Sequence, residues 1–217
     1  MKSTRFLARF VLPAFLVVAI PLGAPGAAAD EVARAAEEGL PDMLGKIPPG
    51  GWSEYGFASG EELAEATLGE PLSLFTITPA ALNACKPGDP VDSLLSETTL
   101  WYVPVRVKET VRSFLVVDRV EDRWEAVSFG YAPLTKPVEA MLAQWPASAG
   151  YHPKLILVFQ AQQYLFTVPE LGGDNLIPLL GVRGEGAGYK AAPSRVITVG
   201  ETVSVLKPIV ASHLAGR

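Results

Sequence analysis

Two histidines and one cysteine are all that the 217-residue chain offers for imidazole or thiol chemistry. His152 sits in GYHPK, a turn before a strand, and His213 in the terminal ASHLAGR, where an imidazolium would suit a helix C-terminus. Neither has a second His or Cys at the spacing that tetrahedral zinc sites use, so no metal is expected. Cys85 lies in PAALNACK, whose apolar neighbours argue for a buried, inert thiol. Nothing beside it would lower its pKa enough to make a nucleophile. A single cysteine also closes no internal disulfide, so stability must come from the core.

Hydroxyl, carboxylate and glycine patterns are equally thin. Gly51-Trp52-Ser53-Glu54-Tyr55 approaches a hydrolase nucleophile elbow but lacks the closing glycine and the preceding strand. Its aromatics Trp52 and Tyr55, with Phe57, read as packing that locks the N-terminal segment onto the domain. Asp118, Glu121, Asp122 and Glu125 are candidates for paired-carboxylate work on a sugar polymer, yet they fall in a hairpin connection where charges solvate a turn. Glu61, Glu62 and Glu65 belong to one solvated helix face. GVRGEGAGYK places Gly181 and Gly186 as a phosphate loop would, but Ala187 and Gly188 stand where lysine and a hydroxyl are required. No catalytic residue and no cofactor is assigned.

The first 29 residues have a different logic. Lys2, Arg5 and Arg9 precede the apolar stretch Phe10 to Leu22, and Ala27 and Ala29 supply small residues at −3 and −1. This is the layout of a Sec-type signal peptide cleaved between Ala29 and Asp30. Pro13, Pro21 and Pro25 interrupt the stretch, which is short of the roughly 20 apolar residues of a spanning helix. The reading is therefore a periplasmic or extracellular protein with no stable membrane anchor after cleavage. Those 29 residues hold three of the 18 Lys/Arg and none of the 23 Asp/Glu, so the remainder carries 15 basic against 23 acidic residues. Such a balance repels phosphate backbones and excludes nucleic acid as a partner class.

The elements that must position any site follow from periodicity. Residues 30–58 read as a short helix, EVARAAEEG, capped by Asp30 and stopped at Gly39, and then an extended Pro/Gly-rich linker. Residues 59–217 read as one α+β domain. SGEELAEATLG is expected to be a helix with Ser59 as cap, Glu62 as capping-box partner and Gly69 as stop. PLSLFTIT is a strand and PAALNAC a helix begun by Pro79. WYVPVRV, SFLVVDRV and RWEAVSFGY, separated by very short polar breaks, must be an antiparallel meander. Trp101, Val103, Val105 and Val107 form the core face of the first strand, with Tyr102, Pro104 and Arg106 on a wetter one. Pro104 suggests an edge or a bulge. LTKPVEAMLAQWP is an amphipathic helix, KLILVFQA a central strand and QYLFTV its partner. The pattern then dissolves to Arg195, and a short strand and helix close the chain.

Together these give an α+β fold: one antiparallel meander sheet with helices packed on one face, behind a cleaved signal peptide. The function reading is a non-catalytic binding or protein-interaction domain of a bacterial envelope or exterior. Tyr102, Arg106 and Tyr164 are its candidate partner-binding residues, and a protein or peptide added at the Pro104 edge is the expected partner. The alternatives are a carboxylate-dependent hydrolase acting on envelope polymers and a structural or assembly factor of the envelope.

Overall fold

The computed structural model describes residues 25–179 and 196–216. The glycine-rich run Gly181 to Gly188 and residues 1 to 24, most of the expected signal peptide, lie outside the described residues. Helix α1 spans Pro25–Gly45. It is already helical before Asp30, so Asp30 is not its N-cap. Nor does Gly39 stop it. A Cβ at Gly39 would stand 2.3 Å from the Ala126 Cβ, so this glycine lets the helix lie against a strand. Val32, Ala35 and Ala36 form the buried stripe of α1 at helical spacing. Only after Gly45 does the chain leave the helix, through a 3-10 turn at Trp52–Tyr55.

Residues 59–69 also differ from expectation. They form a 3-10 turn at Glu61–Glu65 and a short strand β1, Ala66–Leu68. No capping box forms, because the Glu62 carboxylate is drawn elsewhere. It accepts the Ala58 N–H at 2.7 Å and pairs with Arg112. Strand β2 (Leu72–Ile77) and helix α2 (Pro79–Ala84) follow as read, with the Thr78 hydroxyl capping α2. Cys85 ends α2 half-buried rather than buried, its Sγ 3.5 Å from the Lys86 carbonyl.

The meander is β3 (Leu95–Val107), β4 (Thr110–Val120) and β5 (Arg123–Gly130). Glu121 and Asp122, with φ of 47° and 66°, make the two-residue turn whose twist matches that of the strands it joins. Helix α3 (Ala132–Gln144) buries Leu134, Val138 and Met141, and strands β6 (Lys154–Val158) and β7 (Gln163–Thr167) pair antiparallel. Strand β8 (Asn175–Pro178) was not legible in the sequence. It is four residues long and anchored by the buried Asn175 side chain, which bonds the Val168 backbone. Strand β9 (Ile197–Thr198) leads into α4 (Val199–Ala215), entered through a capping box of Thr198 and Glu201.

Strand order is β5-β4-β3-β2-β6-β7-β8-β9, with β1 beside β3. The sheet is mixed, since β2 and β6 run parallel while every other pairing is antiparallel. Helices cover both faces, not one. Val103, Val105, Val107, Leu115 and Val117 face α1, and Ile77, Ile156 and Val158 face α2 and α4. The alternate residues Phe114, Val116, Leu155 and Phe166 pack under α3. The supposed wetter face of β3 is therefore core, with Tyr102 only 2% exposed. A tyrosine can bury its ring when its hydroxyl finds a partner, which polarity alternation alone does not register. Pro104 is no open edge either. It faces Phe114 of β4, and on the other side its carbonyl accepts the Gly69 N–H at 2.8 Å between β1 and β2. Among the described residues no helix is long and apolar enough to cross a membrane.

Candidate functional site

Tyr102 and Tyr164, 62 residues apart in sequence, meet on the α3 face of the sheet, their hydroxyl oxygens 2.8 Å apart. The Tyr102 ring is also the hub of an aromatic cluster. Its centroid lies 5.7 Å from Phe114, 5.3 Å from Tyr131 and 6.2 Å from Tyr164, each at a tilted or edge-on angle. Such geometry suits ring quadrupoles and makes the cluster stiff. Burial pushes the Tyr102 phenol well above its usual range, and the neighbouring Tyr164 and Tyr131 hydroxyls push it further the same way. It remains a neutral hydrogen-bonding group at any ordinary pH.

Beside this cluster opens a cleft of about 440 Å³. Its floor is Leu100 and Tyr102 from β3, Val116 from β4, Ser128 from β5, Leu157 from β6 and Tyr164 from β7. In the sheet Tyr102 stands opposite Val116, Val116 opposite Ser128, and Leu157 opposite Tyr164, so cross-strand pairing aligns the floor. The mouth is formed by Val127, Tyr131, Phe159 and Gln162.

Irregular backbone places three of those four residues. Of the five described non-glycine residues with positive φ, Lys108, Glu121 and Asp122 lie in hairpin turns; the other two, Tyr131 (φ 65°) and Gln162 (φ 49°), both line the cleft. Val127 is the extra residue of a β-bulge, since Ser128 pairs with Val116 while Ala126 pairs with Val117. Bulges re-aim side chains, and left-handed backbone at a bulky residue carries a conformational cost that the surroundings must sustain. The mouth is also where apolar surface stays in water: Val127, Tyr131 and Phe159 are each about 42% exposed.

Of the three residues named from sequence, Arg106 is not part of this cleft. It lines a separate groove of about 370 Å³ between α3 and the β3–β4 hairpin, 4.0 Å from Glu139. Sequence reasoning missed Tyr131, Phe159, Gln162, Val127 and Ser128. The one readable signal was Gly130-Tyr131 between a strand and a proline-started helix, a place where the chain must turn sharply.

The remaining candidates stay apart. His152 donates its backbone N–H to Glu170 and pairs with it again through Nδ1 at 2.8 Å, which holds the Glu170 carboxyl below the usual range. His213 lies in the last turn of α4, beside Gln160 and Pro208. Asp122 pairs with Arg119 and Glu125 with Arg123 on the exposed β4–β5 hairpin, so these carboxylates solvate that end of the sheet. Trp52, Tyr55 and Phe57 do pack as read, with the Tyr55 and Phe57 rings stacked on Phe129. Among the described residues no group of three His, Cys, Asp or Glu could hold a metal ion. No family model, curated protein or solved structure matches the chain.

Proposed function

We propose that this chain is an exported binding module whose tyrosine-lined cleft receives a small molecule. The observation that carries the reading is the convergence of the two aromatic candidates, two left-handed residues, one bulge and three exposed apolar side chains on a single cavity. Its volume falls in the range of about 300–1,000 Å³ typical of ligand pockets, with a mostly apolar lining and a few placed polar groups. A protein or peptide at the Pro104 edge is not the partner favoured, since both sides of β3 are occupied there.

Export rests on the leader composition. One structural feature agrees with cleavage at Ala29–Asp30: the buried stripe of α1 begins at Val32, and Glu31 is the first side chain to bond the sheet, accepting from Trp124 at 3.0 Å. Of the residues described, 27 to 29 therefore place no fully buried side chain in the core.

A thermal-shift screen of small uncharged and charged fragments tests the binding reading. A ligand at one hundred times its Kd stabilises by about 2.7 kcal/mol. Fragments that raise the melting temperature of the natural sequence, and not of a Ser128→Trp variant whose indole fills the cleft, support it. Shifts of equal size in both proteins, or none in either, overturn it.

A further inference from the structure

Resting on the reading of the cleft as a binding site, we infer the class of molecule it takes: an uncharged, flat aromatic compound with a hydrogen-bonding edge. None of the ten lining residues is Asp, Glu, Lys, Arg or His. An ionic group brought onto this floor loses its hydration without gaining a counter-charge, which is strongly unfavourable. Nor does the phenol of Tyr102 supply one, because its surroundings hold it protonated.

A cavity of about 440 Å³ equals roughly fifteen liquid-water volumes, room for two or three fused or linked rings but not for a folded peptide. The floor is one face of the sheet, so side chains from neighbouring strands form a broad, shallow bed and not a deep narrow slot. A planar ligand lying on Val116 and Leu157 meets the rings of Tyr131 and Phe159 at the mouth, where offset or edge contacts are favourable.

The Ser128 hydroxyl, on the β5 side of the floor, offers a hydrogen bond to one edge of such a ligand, while the Tyr131 hydroxyl is engaged with Tyr102. A cationic ligand is the competing possibility, because aromatic faces attract cations. The three rings around Tyr102 lie edge-on or tilted to it, at 63°, 59° and 75°. Each packs against the Tyr102 ring itself, and Phe114 does not line the cleft, so these four rings do not together enclose it.

The test compares three probes of similar ring size on the protein starting at Asp30: neutral N-phenyl-1-naphthylamine, its anionic relative 8-anilino-1-naphthalenesulfonate, and cationic N-methylacridinium. Fluorescence titration gives the affinity of the first two, and displacement of the neutral dye gives that of the third. The neutral probe is expected to bind at least about tenfold more tightly than either ion. Ser128→Trp and Tyr131→Gly should each weaken it by about tenfold or more. Tyr131→Gly guards against a failure to fold, since glycine suits φ of 65° while removing the ring from the mouth. If an ion binds as tightly as the neutral dye and both variants abolish that binding, the cleft stands as a site and the ligand class is wrong. If no probe binds, or the variants change nothing, the binding reading itself falls and the ligand class with it.

Discussion

Gly39→Ala sets two effects of opposite sign against each other, and the structure decides between them. In a helix interior, alanine is about 1 kcal/mol more favourable than glycine, so propensity alone makes this substitution stabilising. Against that, the new Cβ would lie 2.3 Å from the Ala126 Cβ, where ordinary contact needs 3.4–4 Å. Strand β5 and helix α1 must then separate by about an ångström, which also disturbs the Trp124–Glu31 bond nearby. Overpacking of this kind costs about 1–3 kcal/mol. The net expectation is a loss of about 1 kcal/mol. Removing the Ala126 methyl should reverse the sign, because the nearest remaining atoms, the Ala126 Cα and N, are 3.6 and 3.8 Å away. Gly39→Ala made in an Ala126→Gly background should therefore stabilise, a coupling of about 2 kcal/mol across the cycle. Urea unfolding followed by tryptophan fluorescence reads this directly, provided the slope m is unchanged. A higher midpoint for Gly39→Ala alone, or the same shift in both backgrounds, refutes the close-approach argument.

Tyr102→Phe and Tyr164→Phe should each cost about 1 kcal/mol, and the double variant less than their sum, since both remove one shared hydrogen bond; strict additivity in the cycle would mean that the bond contributes nothing. Glu62 is held below its ordinary pKa of 4.5, chiefly by the Ala58 N–H and then by Arg112. Its folded pKa lies below the unfolded one, so its stabilising effect is complete above about pH 4.5 and is lost as pH falls through the folded value. Glu62→Gln should accordingly flatten the acid limb of a melting-temperature profile, and an unchanged limb would remove Glu62 from the account. N-terminal sequencing of the exported protein should begin at Asp30, and an intact Met1 in the membrane pellet would overturn the export reading.

What the sequence disclosed, and what it withheld, divides along the regularity of the backbone. Strands β3, β4 and β5 were readable because β-rich runs separated by the short breaks Lys108-Glu109-Thr110 and Glu121-Asp122 leave an antiparallel meander as the only arrangement. Helix α3 was readable from Val138, Met141 and Trp145 for the same reason of period. Errors arose where a residue's usual local meaning was overridden by a distant partner. Gly39 looked like a helix stop but serves contact with Ala126, 87 positions on. Glu62 looked like a capping-box partner but answers Arg112, itself the extra residue where the β3–β4 register shifts. The parallel β2–β6 pair joins segments separated by α2, the meander and α3, and no local pattern reports such a pairing.

The cleft straddles that divide. Tyr102 and Tyr164 could be named because tyrosine on a strand is a natural contact residue, although their mutual bond could not be. Val127, Tyr131 and Gln162 could not be named, because a bulge and two left-handed residues put them there, and neither leaves a period in the sequence. Regular structure builds the floor cheaply from alternation, while the mouth demands conformations that most residues adopt only under constraint. If the mouth had no function, glycine or asparagine at positions 131 and 162 would relieve that cost. Tyrosine and glutamine in those conformations make sense when the side chains themselves are needed. For that reason Tyr131→Gly is expected to weaken ligand binding, while the relief of the left-handed backbone offsets part of the lost ring contact with Tyr102. A variant that loses stability and keeps its affinity would show that the ring at the mouth serves packing alone.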